Sequence, residues 1–379
     1  MSLATIAWQW TRLGCIGFGG PPAHITLLRR LCVYERHWLP EAEFEDGLAA
    51  TNLLPGPAST QLAIFCAWRL RGVAGAIVGG VCFIVPGLAL IIGLSALFLS
   101  SNPPVWVLGA AAGSGAAVPA VALNAASMLV PSSWSRALPK LYPRLRWIAY
   151  AALGVLGAAT VGAFVVLVFL GCGLLEVAIR GIDRGALRGS QGAVILVIHS
   201  LTMPTVGALM WVAFKVGALS YGGGFVIVPL MQSDAVSTYH WMTSAQFLNA
   251  VALGQVTPGP VVQTVAVVGY AAGGVGGALI AAVIAFTPSF LFVIVGGPHF
   301  DRIRATAWVQ WFLNGAGPAV IGAIAGSAIP LALSLHLAWQ FAILAGMAVW
   351  LLVLRRNVVV GLLIAGAAGA LLRINGSAG

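Results

Sequence analysis

The sequence predicts an all-α polytopic membrane protein made of two homologous halves, which form an inverted-topology repeat with re-entrant or broken helices. The first reason is composition, since 60% of the 379 residues are hydrophobic and only 7% are charged. Soluble domains carry about 25% charged residues, so a chain this poor in charge must be solvated mainly by lipid. The second reason is a set of motifs that recurs about 203 residues later, and the third is a reversal of loop charge between the halves.

The composition excludes several classes of protein. The apolar segments are long and continuous, which favours membrane-spanning helices over the alternating pattern of a β-barrel. The net charge is +10, but the basic residues are scattered over short loops, which indicates topology rather than a nucleic-acid-binding domain. The first five residues contain no basic group, so we expect no cleaved signal peptide. The five cysteines form no CxxC pair and are expected to be buried reduced thiols. The histidines lack metal-ligand spacing, and we expect neither a cofactor nor an enzymatic activity.

The internal repeat determines the predicted architecture. Residues 14–20, GCIGFGG, correspond to residues 217–223, GALSYGG, at an offset of 203. Further matched pairs, at offsets of 203 or 202, are His37 with His240, Phe44 with Phe247, Pro55-Gly56-Pro57 with Pro258-Gly259-Pro260, Gln61 with Gln263, and Pro86 with Pro288. Rare residue types that match in the same order indicate a duplication. We predict a first repeat over residues 1–180, a linker over 181–204 and a second repeat over 205–379.

Basic residues lie at opposite ends of equivalent apolar spans. Arg71 precedes the span 72–100, whereas Arg302 follows its counterpart 272–297. Because cytoplasmic loops collect Lys and Arg, the two halves are predicted to face opposite ways, as in many secondary transporters. Two points stay open at this stage. The loop charges could have drifted after a parallel duplication, and an even number of spans between the halves would require an extra crossing near residues 191–205.

Each half contains a helical pair divided by Pro-Gly-Pro, with arms 43–54 and 58–70 in the first half and 246–257 and 261–271 in the second. Proline lacks an N–H and disfavours helix in the residue before it, so the motif should end one helix and start another. Basic residues at both ends of the first pair place both ends in the cytoplasm. We therefore expect a re-entrant hairpin with its tip in the membrane, where irregular backbone is tolerated if it lines a cavity. A proline kink between packed helices is the alternative.

The predicted substrate site lies at these tips. A helix that starts after Pro-Gly-Pro presents unpaired N–H groups and the positive end of its dipole, which favour an anion. Neutral donors in the first turn and glycine clusters that end short apolar helices complete the site. The predicted uncharged substrate-binding residues are Gly19, Gly20, Pro55, Gly56, Pro57, Ser59, Thr60, Gln61, Gly222, Gly223, Pro258, Gly259, Pro260, Gln263 and Thr264.

Two cations are predicted to bind the substrate, and two carboxylates are candidates for proton coupling. Arg12 and Lys215 occupy equivalent positions in short apolar helices, and ionisable groups at membrane depth usually face a cavity. Together they could hold one divalent oxyanion, although both side chains could instead extend to the interface. Glu43 and Asp46 precede the first Pro-Gly-Pro and are candidate proton-coupling carboxylates. A solvated helix end is the alternative for both.

The motifs also carry a family likeness. They are Phe18-Gly19-Gly20-Pro21, Trp38, Phe44, Leu54-Pro55-Gly56-Pro57, Gln61, Gly222-Gly223-Gly224, Pro229, Gln255, Pro258-Gly259-Pro260 and Gln263. This ordered, duplicated set resembles the chromate ion transporter family in its two-domain, long-chain form. The resemblance implies a multi-pass protein of the bacterial inner membrane that exports chromate, confers chromate resistance and uses the proton motive force, with halves of opposite orientation. Glu35 matches the family's acidic position before the tryptophan and is a third proton-coupling candidate, whereas its counterpart is Thr238.

Other functions stay open from the sequence alone. Sulfate has the charge and shape of chromate, so a transporter or channel for sulfate or another divalent oxyanion is the alternative, and sulfate is the expected competitor. The chain contains no Walker A motif, which argues against direct ATP drive. A membrane-embedded enzyme would need a clustered nucleophile, base or metal site. The expected partners are chromate and the lipid bilayer, without nucleic acid, and a homodimer is one of the assemblies that the sequence allows.

Overall fold

The computed structural model describes residues 1–51, 54, 56–100, 102–136, 141–160, 165–183, 205–220, 227–297 and 306–375. The regular secondary structure of these residues is helical and includes no strand, which confirms the predicted all-α class. The helices are α1 (Leu3–Ile16), α2 (Pro21–Arg29), α3 (Glu41–Thr51), α4 (Ala58–Phe98), α5 (Val105–Arg136), α6 (Leu141–Thr160), α7 (Val165–Asp183), α8 (Thr205–Leu219), α9 (Ile227–Gln232), α10 (Ser244–Val256), α11 (Thr264–Gly296), α12 (Ala307–Leu333), α13 (Ala338–Ala348) and α14 (Val358–Ile374). π-Helical turns follow α2 (Arg30–Glu35), α9 (Ser233–Thr238) and α13 (Val349–Val353), and a 3-10 turn (Val261–Gln263) precedes α11.

Four of the described helical segments are long and apolar enough to cross a membrane, namely Ala58–Phe98, Val105–Ser135, Val261–Gly296 and Ala307–Leu333. Exposed apolar side chains form a stripe along α4 at Val73, Ile77, Val81 and Val85. A spacing of four places them on one face of the helix, and an apolar face of this kind is suited to lipid. The chain is therefore a multi-pass membrane protein.

Helix breaks occur at both Pro-Gly-Pro motifs, as the sequence predicts, and each long helix has a further break at a glycine that was not predicted. α3 ends at Thr51 and α4 begins at Ala58, whereas α10 ends at Val256. α4 also leaves the helical conformation at Gly72, with φ +60° and ψ −150°, and α11 does so at Gly274, with φ +62° and ψ −151°. This backbone region is essentially restricted to glycine. Each long helix therefore consists of a short arm beside the Pro-Gly-Pro motif and a longer span beyond the kink.

The same backbone geometry recurs in the two halves. The first two π-helical turns are followed by His37 at φ +49° and His240 at φ +52°. The next residue then donates its N–H to a carbonyl six residues earlier, from Trp38 to Cys32 at 2.8 Å and from Trp241 to Ala235 at 2.9 Å. Such recurrence is what a duplicated sequence requires, and the repeat itself stays a prediction.

Helices of the first half pack against helices of the second half. α5 of the first half packs against α13 and α14 of the second, and α12 packs against α6 and α7. Glycines allow this approach, because a Cβ at Gly154 would collide with the Ala319 carbonyl and one at Gly113 with the Ala365 carbonyl. The packed interior is therefore continuous across the predicted repeat boundary. The boundaries at 180 and 205 stay predictions, and residues 184–204 of the linker lie outside the described part of the chain.

The cysteines only partly follow the expectation of burial. Cys32, Cys66 and Cys172 are buried, but Cys82 is half-buried and Cys15 is exposed. The expectation is wrong for Cys15 because that residue faces outward on α1. Within the described ranges, no three His, Cys, Asp or Glu side chains lie close enough together to hold a metal ion.

Candidate functional site

The two Pro-Gly-Pro motifs form turns that we call the first tip (residues 54–57) and the second tip (residues 257–260). Gly56 has φ +119° and Gly259 has φ +96°, and both glycines precede a proline that begins the next helical segment. After the first tip, the Thr60 and Gln61 N–H groups donate to the Pro57 carbonyl at 2.9 and 3.0 Å. The predicted site residue Pro55 lies outside the described residues.

The second tip rests against the first half of the chain. The Gly259 N–H donates to the Gly17 carbonyl at 2.9 Å, and Gln263 Nε2 donates to the Ile84 carbonyl of α4 at 2.8 Å. Gly87 lies directly beneath this tip, because a Cβ there would collide with the Pro258 carbonyl and the Gln263 amide. A hydrogen bond to the other half thus satisfies the Gly259 N–H, a backbone group that the helix break exposes in the membrane.

The first tip makes the reciprocal contact with the second half. A Cβ at Gly56 would lie 3.3 Å from Ser289 Oγ of α11 and closer still to the Gln61 amide. Ser289 is the counterpart of Gly87, one residue after the matched prolines Pro86 and Pro288. Each tip therefore faces the long helix of the opposite half.

His24 of α2 links these elements and is a residue that sequence reasoning missed. Its Nε2 lies 2.9 Å from the Gly17 carbonyl and its Nδ1 lies 3.2 Å from Ser59 Oγ, and its ring meets Phe83 edge to face. A carbonyl only accepts, so Nε2 carries a proton, and Nδ1 of the neutral ring then accepts from the Ser59 hydroxyl. The counterpart of His24 is Ile227, so the repeat gave no signal for this residue.

Thr60 Oγ1, Gln263 Oε1 and Ser289 Oγ lie beside the tips and are fully buried without a hydrogen-bond partner among the described residues. The same holds for Ser220 Oγ at the end of α8 and Gln255 Nε2 on α10. Nearly all buried polar atoms in proteins are hydrogen-bonded, so each of these atoms marks a place where a polar ligand or water can bind. Thr264, by contrast, uses its hydroxyl to donate to the Val261 carbonyl at 2.8 Å. Ser289 and Ser220 were not predicted, because no local motif identifies them.

The glycine clusters are described only in the first half. Gly19 is exposed with φ +97°, and Gly20 has φ +74° and faces Val261, which lies just after the second tip. Gly222 and Gly223 lie outside the described residues.

The two predicted cations occupy different surroundings. Lys215 is 8% exposed and forms a buried ion pair and hydrogen bond with Asp234. Arg12 is exposed on α1 and forms no ion pair with any described residue. The counterpart of Asp234 is Leu31, so the first half has no matching acid. Their joint binding of one dianion stays a prediction.

The three candidate proton-coupling carboxylates lie away from the tips. Glu35 pairs with Arg30 at 2.7 Å, Glu43 pairs with Arg69, and Asp46 is exposed on α3. Glu43 precedes the end of α3 by eight residues, which is about 12 Å along a helix. Their role in proton coupling stays a prediction.

Comparison with known proteins identifies the relatives of this chain. The sequence model of the family described as "Chromate transporter" matches residues 4–177 and 207–370. The chain is 31% identical over 375 residues to the chromate transport protein of Cupriavidus metallidurans. That alignment covers 97% of this chain and 92% of the relative. It is 29% identical over 343 residues to the probable chromate transport protein of Synechococcus elongatus, covering 87% and 84%. It is 30% identical over 353 residues to the chromate transport protein of Pseudomonas aeruginosa, covering 88% and 82%. No solved structure matches the chain.

The contact beneath the second tip can be tested by adding one carbon atom. We expect Gly87→Ala to lower the melting temperature in detergent, because the added Cβ would collide with the Pro258 carbonyl. Overpacking of this kind costs about 1–3 kcal/mol. Gly93→Ala on the same helix is the control, since nothing lies within 4 Å of a Cβ there. Equal melting temperatures for the two variants would show that the second tip does not rest on Gly87.

Proposed function

The chain belongs to the chromate transporter family, and we propose that it is a secondary transporter that exports chromate across the bacterial inner membrane. Export lowers the chromate concentration in the cytoplasm and so confers resistance, without enzymatic conversion of the ion. One observation carries this proposal. The break after α1 meets the second tip through the hydrogen bond between Gly17 and Gly259, and buried polar atoms beside the tips have no partner among the described residues. Relatives named as chromate transport proteins, matched over most of the chain, support chromate as the ion.

The chemistry of the tips suits a tetrahedral oxyanion. The hydroxyl groups of Thr60 and Ser289 and the amide nitrogen of Gln255 have no partner in the described part of the chain, and all three can donate hydrogen bonds. The first turn of α4 adds the positive end of a helix dipole beside Thr60. Gln263 has a different role, because its Nε2 already donates to Ile84 and its free Oε1 only accepts. We therefore propose that Gln263 positions the second tip rather than binding the ion.

Positive charge is proposed to come from Arg12 and Lys215. Asp234 neutralises Lys215, so Arg12 supplies the uncompensated cation. Gly56 and Pro57 shape the first tip, and Gly259 and Pro260 shape the second, so we retain these residues in the proposed site.

The membrane potential favours the export direction. An inside-negative potential of 100 mV contributes about 2.3 kcal/mol per elementary charge, hence about 4.6 kcal/mol for a dianion that leaves the cell. The electrical component of the proton motive force can therefore drive export by itself. Exchange for protons would add to this drive and make the protein an antiporter, with Glu35, Glu43 and Asp46 as the proposed carboxylates.

We also propose that the halves form an inverted-topology repeat. The reciprocal contacts of the tips support this proposal, because repeats related by a pseudo-two-fold axis contact each other through equivalent positions. The second tip lies against Gly87 of α4, and the first tip lies against Ser289 of α11, the counterpart of Gly87. The reversal of loop charge between the halves supports an axis in the membrane plane.

The orientation of the halves is tested by cysteine accessibility in a cysteine-free background. Asn102 follows α4 and Thr306 precedes α12, so an inverted repeat places them on opposite sides of the membrane. We expect a membrane-impermeant thiol reagent to label Asn102→Cys from the periplasmic side and Thr306→Cys from the cytoplasmic side. Labelling of both positions from one side would contradict the inversion while leaving the transport activity untouched.

Transport and its direction are tested in inside-out membrane vesicles, where export appears as uptake. We expect labelled chromate to accumulate when a potassium diffusion potential makes the vesicle interior positive, and not when the potential is reversed. A pH gradient at zero potential measures proton exchange separately. Vesicles without the protein are the control, and excess sulfate measures competition. Accumulation of sulfate without chromate would replace our proposal by the alternative of a sulfate transporter.

The proposed ligands are tested in the same vesicles. We expect Thr60→Val and Ser289→Ala each to weaken the apparent chromate affinity by about tenfold, since a hydrogen bond to a charged group contributes about 1.5–3 kcal/mol. Thr287→Val is the control, because the Thr287 hydroxyl donates to the Val283 carbonyl of its own helix at an exposed position. Arg12→Gln should weaken the affinity at least as much. Unchanged kinetics in all three variants would place the ion elsewhere.

A further inference from the structure

A second polar cluster lies far along the chain from the tips, at the ends of three first-half helices. A small cavity that opens to the surface is lined by Ser133, Pro143, Arg146, Trp147, Tyr150, Glu176, Arg180 and Asn314. α5 and α7 approach it with their C-terminal turns and α6 with its N-terminal turns, whereas Asn314 comes from α12 of the second half. The cavity therefore lies at a seam between the halves.

Among the described side chains, the charges around this cavity do not balance. Glu176 is 3% exposed and accepts hydrogen bonds from Tyr150 at 3.1 Å, from Arg180 Nε at 2.6 Å and from Arg146 at 3.3 Å. One arginine would suffice to neutralise this carboxylate. The second arginine leaves one positive charge in a largely buried setting, which is costly without a counter-ion.

The guanidinium groups also retain free donors. Arg180 binds Glu176 through Nε, and its terminal nitrogens have no partner among the described residues. The Arg146 and Arg180 side chains are 26% and 18% exposed, so both reach the mouth of the cavity. Two planar guanidinium groups with free N–H groups are suited to a phosphate-type oxyanion.

The surroundings indicate the source of that oxyanion. Trp147 donates to Ser133 Oγ at 2.9 Å and packs edge to face on Trp134, and Arg144 lies 5.5 Å above the Trp134 ring. Tryptophan and arginine in this arrangement are typical of the headgroup level of a membrane. By the positive-inside rule this basic end is cytoplasmic, where anionic lipids are enriched, and basic pockets between helices there bind anionic headgroups.

We propose that the cavity between Arg146 and Arg180 binds a phosphate-type oxyanion, supplied by the headgroup of an anionic phospholipid of the cytoplasmic leaflet. The lipid phosphate contacts the free guanidinium N–H groups and balances the excess charge left by Glu176. Because Asn314 of α12 lines the same cavity, the headgroup joins α12 to α6 and α7. This site is independent of the ion that the protein transports.

The experiment is native mass spectrometry of the full chain in neutral detergent, titrated with phosphatidylglycerol or phosphatidylcholine. We expect the wild-type protein to retain one phosphatidylglycerol more than Arg180→Gln, and its affinity for that lipid to be about tenfold higher. Phosphatidylcholine should show no such difference. Arg373→Gln is the matched control, because Arg373 is an exposed residue in the last turn of α14 that has no ion-pair partner among the described residues.

Stability is measured separately so that a folding defect is not mistaken for lost binding. Arg180→Lys keeps a charge opposite Glu176 but lacks the planar fork, and we expect it to fold and to bind phosphatidylglycerol less tightly than the wild type. Phosphatidylglycerol should raise the melting temperature of the wild type and of Arg373→Gln more than that of either Arg180 variant. Equal phosphatidylglycerol binding by the wild type and both Arg180 variants would overturn the site. Displacement of the lipid by millimolar inorganic phosphate would overturn the lipid source and assign the cavity to a free oxyanion.

Discussion

The hydrogen bond from the Gly259 N–H to the Gly17 carbonyl joins the second tip to the end of α1, and it illustrates the constraint on which the structure depends. In a bilayer every buried backbone donor and acceptor needs a protein partner, so a broken helix persists only where another segment covers its break. Gln263 adds a second hydrogen bond between the halves by donating from its side-chain Nε2 to the Ile84 carbonyl. At the first tip, by contrast, the Thr60 and Gln61 N–H groups donate to the Pro57 carbonyl of their own half.

This constraint connects the exchange of helices with the placement of glycine. If each tip is covered by the other half, then the long helices must cross closely, and close crossing requires positions without side chains. Gly87 supplies such a position beneath the second tip. Away from the tips, Gly154 brings α6 onto α12 and Gly113 brings α5 onto α14 by the same means. The hydrogen bonds at the tips and the glycines between packed helices of the two halves are therefore consequences of the same arrangement.

The sequence predicted the features that single residues control locally. Proline acts on its own backbone, so the helix breaks at the two Pro-Gly-Pro motifs could be placed without a structure, although α3 ends at Thr51 rather than at the predicted residue 54. Contacts between segments that are distant in the sequence could not be predicted in this way. His24 reaches Ser59 across 35 residues, and no motif or repeat counterpart marks it. The cluster around Glu176 is equally unmarked, because Arg146 and Glu176 meet only when α6 packs beside α7. The pairing of Lys215 with Asp234 was equally invisible, since the first half has leucine where the acid would be.

Only the second half pairs its predicted cation with an acid, Lys215 with Asp234. This difference between the halves affects how a transporter of the proposed kind would release its ion. A pair of unit charges 4 Å apart near a protein surface attract by about 4 kcal/mol, so two free cations around a dianion would contribute about 16 kcal/mol before desolvation is counted. Interactions of that size approach the limit of the tightest known complexes, and such an ion would leave too slowly for transport. Asp234 removes one of the two cations, and most of the donors at the tips are neutral. In the proposed site a single uncompensated arginine would contribute about 8 kcal/mol, half of that electrostatic energy, beside neutral hydroxyl and amide donors. Moderate affinity is what alternating exposure to two sides of a membrane requires, so the broken symmetry of the cations supports transport better than the symmetric pair would.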